Sequence, residues 1–212
     1  MENTMYQLIL QFPLLLFSIT VHEYSHGFIA EKRGDDTARV LGRLTLNPIA
    51  HIDLMGTVLF PLIAIMFKAP VFGWAKPVPV NPNMFENPRR DMMFVGIAGP
   101  LSNFILAVAS ALLLWGIRSF RLLGYTQSAM TVMVVLHYLL VINVVLAVFN
   151  LIPVPPLDGS HILSGLLPRE AAYEYEKITP YGFFIMIFLL ATGVLWSVLG
   201  PVVGLLIGLL GG

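Results

Sequence analysis

The sequence predicts an all-α polytopic membrane protein with about 4–6 membrane segments. Two observations predict it. Of the 212 residues 57% are hydrophobic and only 11% charged, far too apolar for an ordinary soluble domain. Apolar runs also recur that are long enough for a hydrocarbon core of about 30 Å, which takes about 20 helical residues. Helices are expected because no water satisfies an open backbone at that depth. With 12 basic and 12 acidic residues the net charge is zero. Nucleic acid is therefore excluded as a partner and the bilayer is the expected surroundings. No cysteine is present, which leaves His, Asp and Glu as the strong metal ligands. No repeat or composition shift divides residues 1–212, which read as a single domain.

The first apolar run, residues 5–30, reads as a crossing helix stopped by Gly34-Asp35-Asp36. It lacks a basic start and carries His22 and Glu23, so it is expected to stay in the mature protein. Residues 49–67 form a second apolar stretch interrupted by Asp53, Gly56 and Pro61. A proline-rich run from Pro70 to Pro82 follows and forbids a long helix. Residues 92–117 and 129–152 are crossing helices separated by a loop with Arg118 and Arg121. Prolines 153, 155 and 156 then open the backbone before Asp158-Gly159. Residues 160–178 suggest one or two short interfacial helices, and 180–210 a long apolar run broken at Gly200-Pro201.

His22-Glu23-Tyr24-Ser25-His26 carries the chemistry. Helical residues four apart differ by about 40° in azimuth, so two imidazoles face one side with Glu23 beside them. Two neutral imidazoles bind Zn2+, an open position takes a water, and the adjacent carboxylate receives its proton. An acid inside a membrane helix is costly and usually functional. A catalytic zinc normally has three protein ligands. Asp158, after a crossing helix and inside the proline-opened loop, is the best candidate for the third.

Taken in order, His22–His26, Gly96-Ile97-Ala98-Gly99-Pro100-Leu101-Ser102-Asn103, and Asn150-Leu151-Ile152-Pro153 running to Leu157-Asp158-Gly159 resemble the signatures of the site-2 protease family. The resemblance covers about residues 10–165 and implies a three-helix catalytic core, to which a re-entrant segment and C-terminal helices are added. It implies zinc on His22, His26 and Asp158, Glu23 as general base, and Asn150 at the active site as an oxyanion or substrate-backbone contact. The implied reaction is zinc-dependent endoproteolysis of membrane-spanning segments in substrate proteins. The alternative from another class is a membrane metal-ion transporter using the same His and Asp ligands. Such a protein has no use for Glu23 as a base.

If the ligands are to meet, the helix exits at residues 30 and 152 must share a side, so residues 49–67 must turn back instead of crossing. The basic residues agree. In the re-entrant arrangement Lys32, Arg33, Arg39, Arg43, Lys68, Lys76, Arg89, Arg90, Arg169 and Lys177 share the active-site side, against Arg118 and Arg121. In the crossing arrangement the twelve divide evenly. Lys and Arg favour the cytoplasmic side, so the active site is expected toward the cytoplasm; the expected location is a prokaryotic plasma membrane. An extended segment around Val78 and Val80 offers an edge for an unwound substrate strand. His51 and Asp53 are expected to be interfacial anchors, Asn103 a packing residue, and His161 to lie outside the ligand set.

Overall fold

The computed structural model describes residues 2–59, 63, 66, 75–120 and 126–211, with side chains from residue 10 onward except that of residue 58. Among the described residues the chain is helical and forms no strand. Helix α1 spans Glu2–Lys32, and its end follows from sequence. Gly34 sits at φ +106°, the Asp35 N–H donates to the Ala30 carbonyl and the Gly34 N–H to that of Glu31. This left-handed glycine cap satisfies carbonyls the helix would otherwise leave open. After the short helix α2 (Thr37–Val40) come a 3-10 turn at Pro48–His51 and a π-helical turn at Leu54–Leu59.

The two ends of the interrupted stretch are joined. The Lys76 N–H donates to the His51 carbonyl (2.9 Å), and Arg43 donates to the carbonyls of Lys76 and Pro77. Departure and return therefore lie together beside the end of α1, which is what a re-entrant segment requires and a crossing forbids. Of the two interruptions where the chain is expected to turn, Gly56 lies in the turn at Leu54–Leu59, whereas Pro61, like Lys68, residues 70–74 and Arg121, lies outside the described residues.

Helices α3 (Pro88–Phe120) and α4 (Gln127–Asn150) are each long and apolar enough to span a bilayer. At about 1.5 Å per residue, the 31 residues of α1 are long enough too. The chain is thus an integral membrane protein. Helix α3 lies at the centre, packed on α1, on α4 and on the short α5 (Asp158–Leu166). Ala107, Ala111 and Leu114 of α3 meet Leu140 and Val144 of α4 and Val203 of the C-terminal helix α8 (Val194–Leu209) in a buried core.

Helices α5 and α6 (Arg169–Glu176) are the two short helices expected after the proline loop. Asp158 is the first residue of α5, one step beyond the loop where the sequence placed it. The C-terminal run differs from expectation. It breaks at Gly193 (φ +73°), between α7 (Gly182–Ala191) and α8 (Val194–Leu209), with a 76° change of direction. Gly200 and Pro201 lie inside α8. A proline costs a membrane helix one hydrogen bond and is tolerated there, whereas a left-handed residue redirects the chain.

Candidate metal and catalytic site

His22 and His26 project from α1 toward α3, and Asp158 reaches them from the start of α5. One ligand atom from each of the three lies within 4.8 Å of the others, the only such group among the described residues. The two Nε2 atoms are 3.0 Å apart, with Asp158 Oδ2 3.1 Å from His22 and Oδ1 3.3 Å from His26. Both imidazoles are nearly buried.

What surrounds this trio fixes its polarity. His22 Nδ1 lies 2.6 Å from Asn103 Oδ1, and His26 Nδ1 lies 2.7 Å from the Val95 carbonyl. Both partners are acceptors, so both Nδ1 atoms carry hydrogen and donate. In their neutral form the rings then turn two Nε2 lone pairs and a carboxylate toward one point, with no donor between them. Asp158 Oδ2 is buried and receives no hydrogen bond. Three electron-rich atoms converging on one buried point can hold a metal cation.

The approach of α1 to α3 depends on one glycine. A Cβ on Gly99 would lie 2.5 Å from His22 Cε1 and His26 Nε2. Gly159 is similarly confined, since a Cβ there would lie 2.4 Å from the carbonyl oxygens of Leu151 and Ile152. The proline-opened turn and the first turn of α5 are thereby pressed together, which sets the reach of Asp158.

Glu23, between the histidines in sequence, accepts a hydrogen bond from the Val78 N–H (2.8 Å). Pro77 and Pro79 restrict this stretch to extended backbone. Asp35, fully buried, accepts from the Asn81 N–H (2.7 Å) and the Thr37 N–H (3.0 Å), so the end of α1 anchors the segment at its far side.

Other predicted residues fall differently. The Asn150 amide donates to Leu146 O in its own helix (3.0 Å) and does not touch the trio. His51 is no interfacial anchor. It is fully buried, with Nε2 2.8 Å from the Thr45 carbonyl, and its own carbonyl accepts from the Lys76 N–H where the chain returns. Asp53 caps the π-helical turn by accepting from the Gly56 N–H. His161 stands outside the trio, on a cavity of about 400 Å³ that also meets Arg89 and Glu176. Burial pushes its imidazole below the ordinary value. Sequence reasoning took Asn103 for packing and missed Asn143 and the Val95 carbonyl. An amide in the midst of the apolar run 129–152 was the available signal.

Comparison with known proteins agrees with the geometry. The pattern of peptidase family M50 matches residues 11–192. The chain is 39% identical over 189 residues to a Bacillus subtilis protein named as a candidate zinc metalloprotease, YwhC, covering 87% of this chain and 83% of that one. It is 30% identical over 177 residues to Rip2 of Mycolicibacterium smegmatis, also named as a candidate zinc metalloprotease, covering 84% of this chain and 64% of that one. It is 27% identical over 179 residues to the zinc metalloprotease MJ0392 of Methanocaldococcus jannaschii, covering 84% of this chain and 40% of that one. No solved structure matches the chain.

Proposed function

The chain belongs to peptidase family M50, and we propose that it is a zinc-dependent intramembrane endopeptidase in which His22, His26 and Asp158 hold the ion and Glu23 is the general base. The observation that carries this reading is the convergence of a carboxylate with the Nε2 lone pairs of two imidazoles whose Nδ1 atoms are already committed to acceptors. Zinc bound there supplies Lewis acidity and an activated water.

The chain's own residues do the rest. Glu23 lies one residue from His22 on the same helix and takes the proton of the attacking water at a carboxylate oxygen, then returns it to the leaving amine. Its Oε2 is held by Val78, so the base and the extended segment form one unit. A helical substrate hides its carbonyls in its own hydrogen bonds and must unwind to be cut. The extended edge at Val78 and Val80 suits such a strand, since backbone pairing would align it beside Glu23. Asn150, by turning from Leu146 O, would supply an amide donor to the substrate backbone or to the developing oxyanion. The substrates are membrane proteins with a spanning segment.

Orientation follows from the basic residues. Arg33 pairs with Asp91 and Arg43 grips the return segment at the active-site end, whereas Arg118 lies at the other end beside the Gly211 carbonyl. The bias toward the active-site end supports an active site on the cytoplasmic face, in our reading that of a prokaryotic plasma membrane.

The test is cleavage of a single-span reporter by the wild type and Glu23→Gln in proteoliposomes. Loss of cleavage with zinc retained supports the reading. Metal flux unchanged by Glu23→Gln, with no cleavage by either protein, would replace it with a transporter.

A further inference from the structure

From His22 a chain of buried polar groups leads away from the metal ligands into the middle of the bundle. Asn103 of α3 accepts from His22 and donates through Nδ2 to Asn143 Oδ1 (2.8 Å) and to the Ser18 carbonyl (3.3 Å). Asn143 of α4 donates in turn to Ser18 Oγ and to the Leu139 carbonyl, both at 2.8 Å. The Ser18 hydroxyl gives its hydrogen to Leu14 O (2.8 Å) and can only accept from Asn143. Ser18, Asn103 and Asn143 are all 0% exposed.

Helix packing alone does not require this order of donors and acceptors. A backbone carbonyl only accepts. Leu14 O therefore orients the Ser18 hydroxyl, and Ser18 Oγ with Leu139 O takes both Nδ2 hydrogens of Asn143. Asn143 Oδ1 is thus left facing Asn103. Turning Asn143 around would press its oxygen against two acceptors. Asn103 is likewise forced to aim Nδ2 at Asn143 and Oδ1 at His22. The only partner His22 can then be is a donor at Nδ1, which leaves Nε2 bare. His26 gets the same instruction in one step, from Val95 O. His22 receives it through three side chains from three helices.

We propose that Asn103, Asn143 and Ser18 are positioning residues that set the tautomer and ring orientation of His22 and thereby its affinity for zinc. This rests on His22 being a zinc ligand, as proposed above. Groups that orient a ligating histidine typically change metal affinity by about 10–100-fold when removed. Asn143 is two side chains from the ligand and touches neither metal nor substrate, so its effect tests the relay and not the site itself.

The experiment measures zinc affinity of the purified full-length chain in detergent by chelator competition, together with the melting of the metal-free protein. Asn143→Leu should raise the zinc Kd by about 10–100-fold. Ser18→Ala should raise it less, because Leu139 O still holds one amide hydrogen, and Ser18→Thr, which keeps the hydroxyl, should match the wild type. Ser110→Ala, a buried serine of α3 bonded only to its own helix, should change nothing. The absorption bands of the cobalt-loaded protein should shift in Asn143→Leu and not in Ser110→Ala. A purely structural role would lower metal-free melting and leave the Kd and the cobalt bands unmoved, overturning the proposal. If Asn143→Leu does not fold, Ser18→Ala against Ser18→Thr decides on the same criterion. Unchanged zinc affinity in His22→Ala would refute the ligand assignment beneath it. Zinc lost in His22→Ala but bound normally by Asn143→Leu and Ser18→Ala would refute the relay alone.

Discussion

Alanine at position 99 should disable the site while leaving the fold recognisable. Its Cβ would lie 2.5 Å from His22 Cε1 and from His26 Nε2, and 2.6 Å from His22 Nε2. Carbon in ordinary contact stands at about 3.5–4.0 Å, so both imidazoles must retreat by about 1 Å. Neither has freedom to do so, because Asn103 and the Val95 carbonyl hold their far nitrogens. Metal–ligand distances tolerate only about 0.2 Å, and misplacing a reacting group by about 1 Å costs about 100-fold in rate. Gly99→Ala should therefore lower reporter cleavage at least about 100-fold and weaken zinc binding in the same preparation. Gly116 lies in the same helix with nothing within 4 Å of its would-be Cβ, so Gly116→Ala should stabilise the protein by about 0.5–1 kcal/mol and spare activity. Thermal melts, zinc titration and cleavage on the two variants make the assay. Gly99→Ala with cleavage and zinc affinity within about threefold of wild type would refute the reasoning.

Val78→Pro removes the N–H that holds Glu23 in a backbone already flanked by two prolines, so it should cut cleavage by about tenfold or more while zinc stays bound. Val78→Ala keeps the N–H and should lose far less, which kinetics of the two variants would check. Single cysteines at positions 76 and 118 should label from opposite membrane faces, since Lys76 joins the active-site end and Arg118 the far end. Labelling both from one side would overturn the topology.

The proposed metal ligands were legible because their information is local. His22 and His26 are one helical turn apart, and Asp158 follows a proline turn that no crossing helix can contain. The return of residues 49–67 was legible from parity and from basic residues, and the bond between Lys76 and His51 bears out the joining of its ends. Partners between helices were not legible. Asn103 and Asn143 are 40 positions apart, and only the rotation of α3 against α4 brings their amides to 2.8 Å. Hydrophobic periodicity gave no guide, since helices apolar all round hide which face meets a neighbour. His51 misled for a related reason. At the edge of an apolar run it resembles an anchor, but it is fully buried and its ring lies against the Thr45 carbonyl.

Zinc bound per chain, measured on the purified protein and its ligand variants, bears most directly on the proposed centre. One zinc per chain is expected in the wild type and in Glu23→Gln, and almost none at matched free zinc in His26→Ala and Asp158→Ala. Full zinc occupancy in both His26→Ala and Asp158→Ala, or none in the wild type, would contradict it.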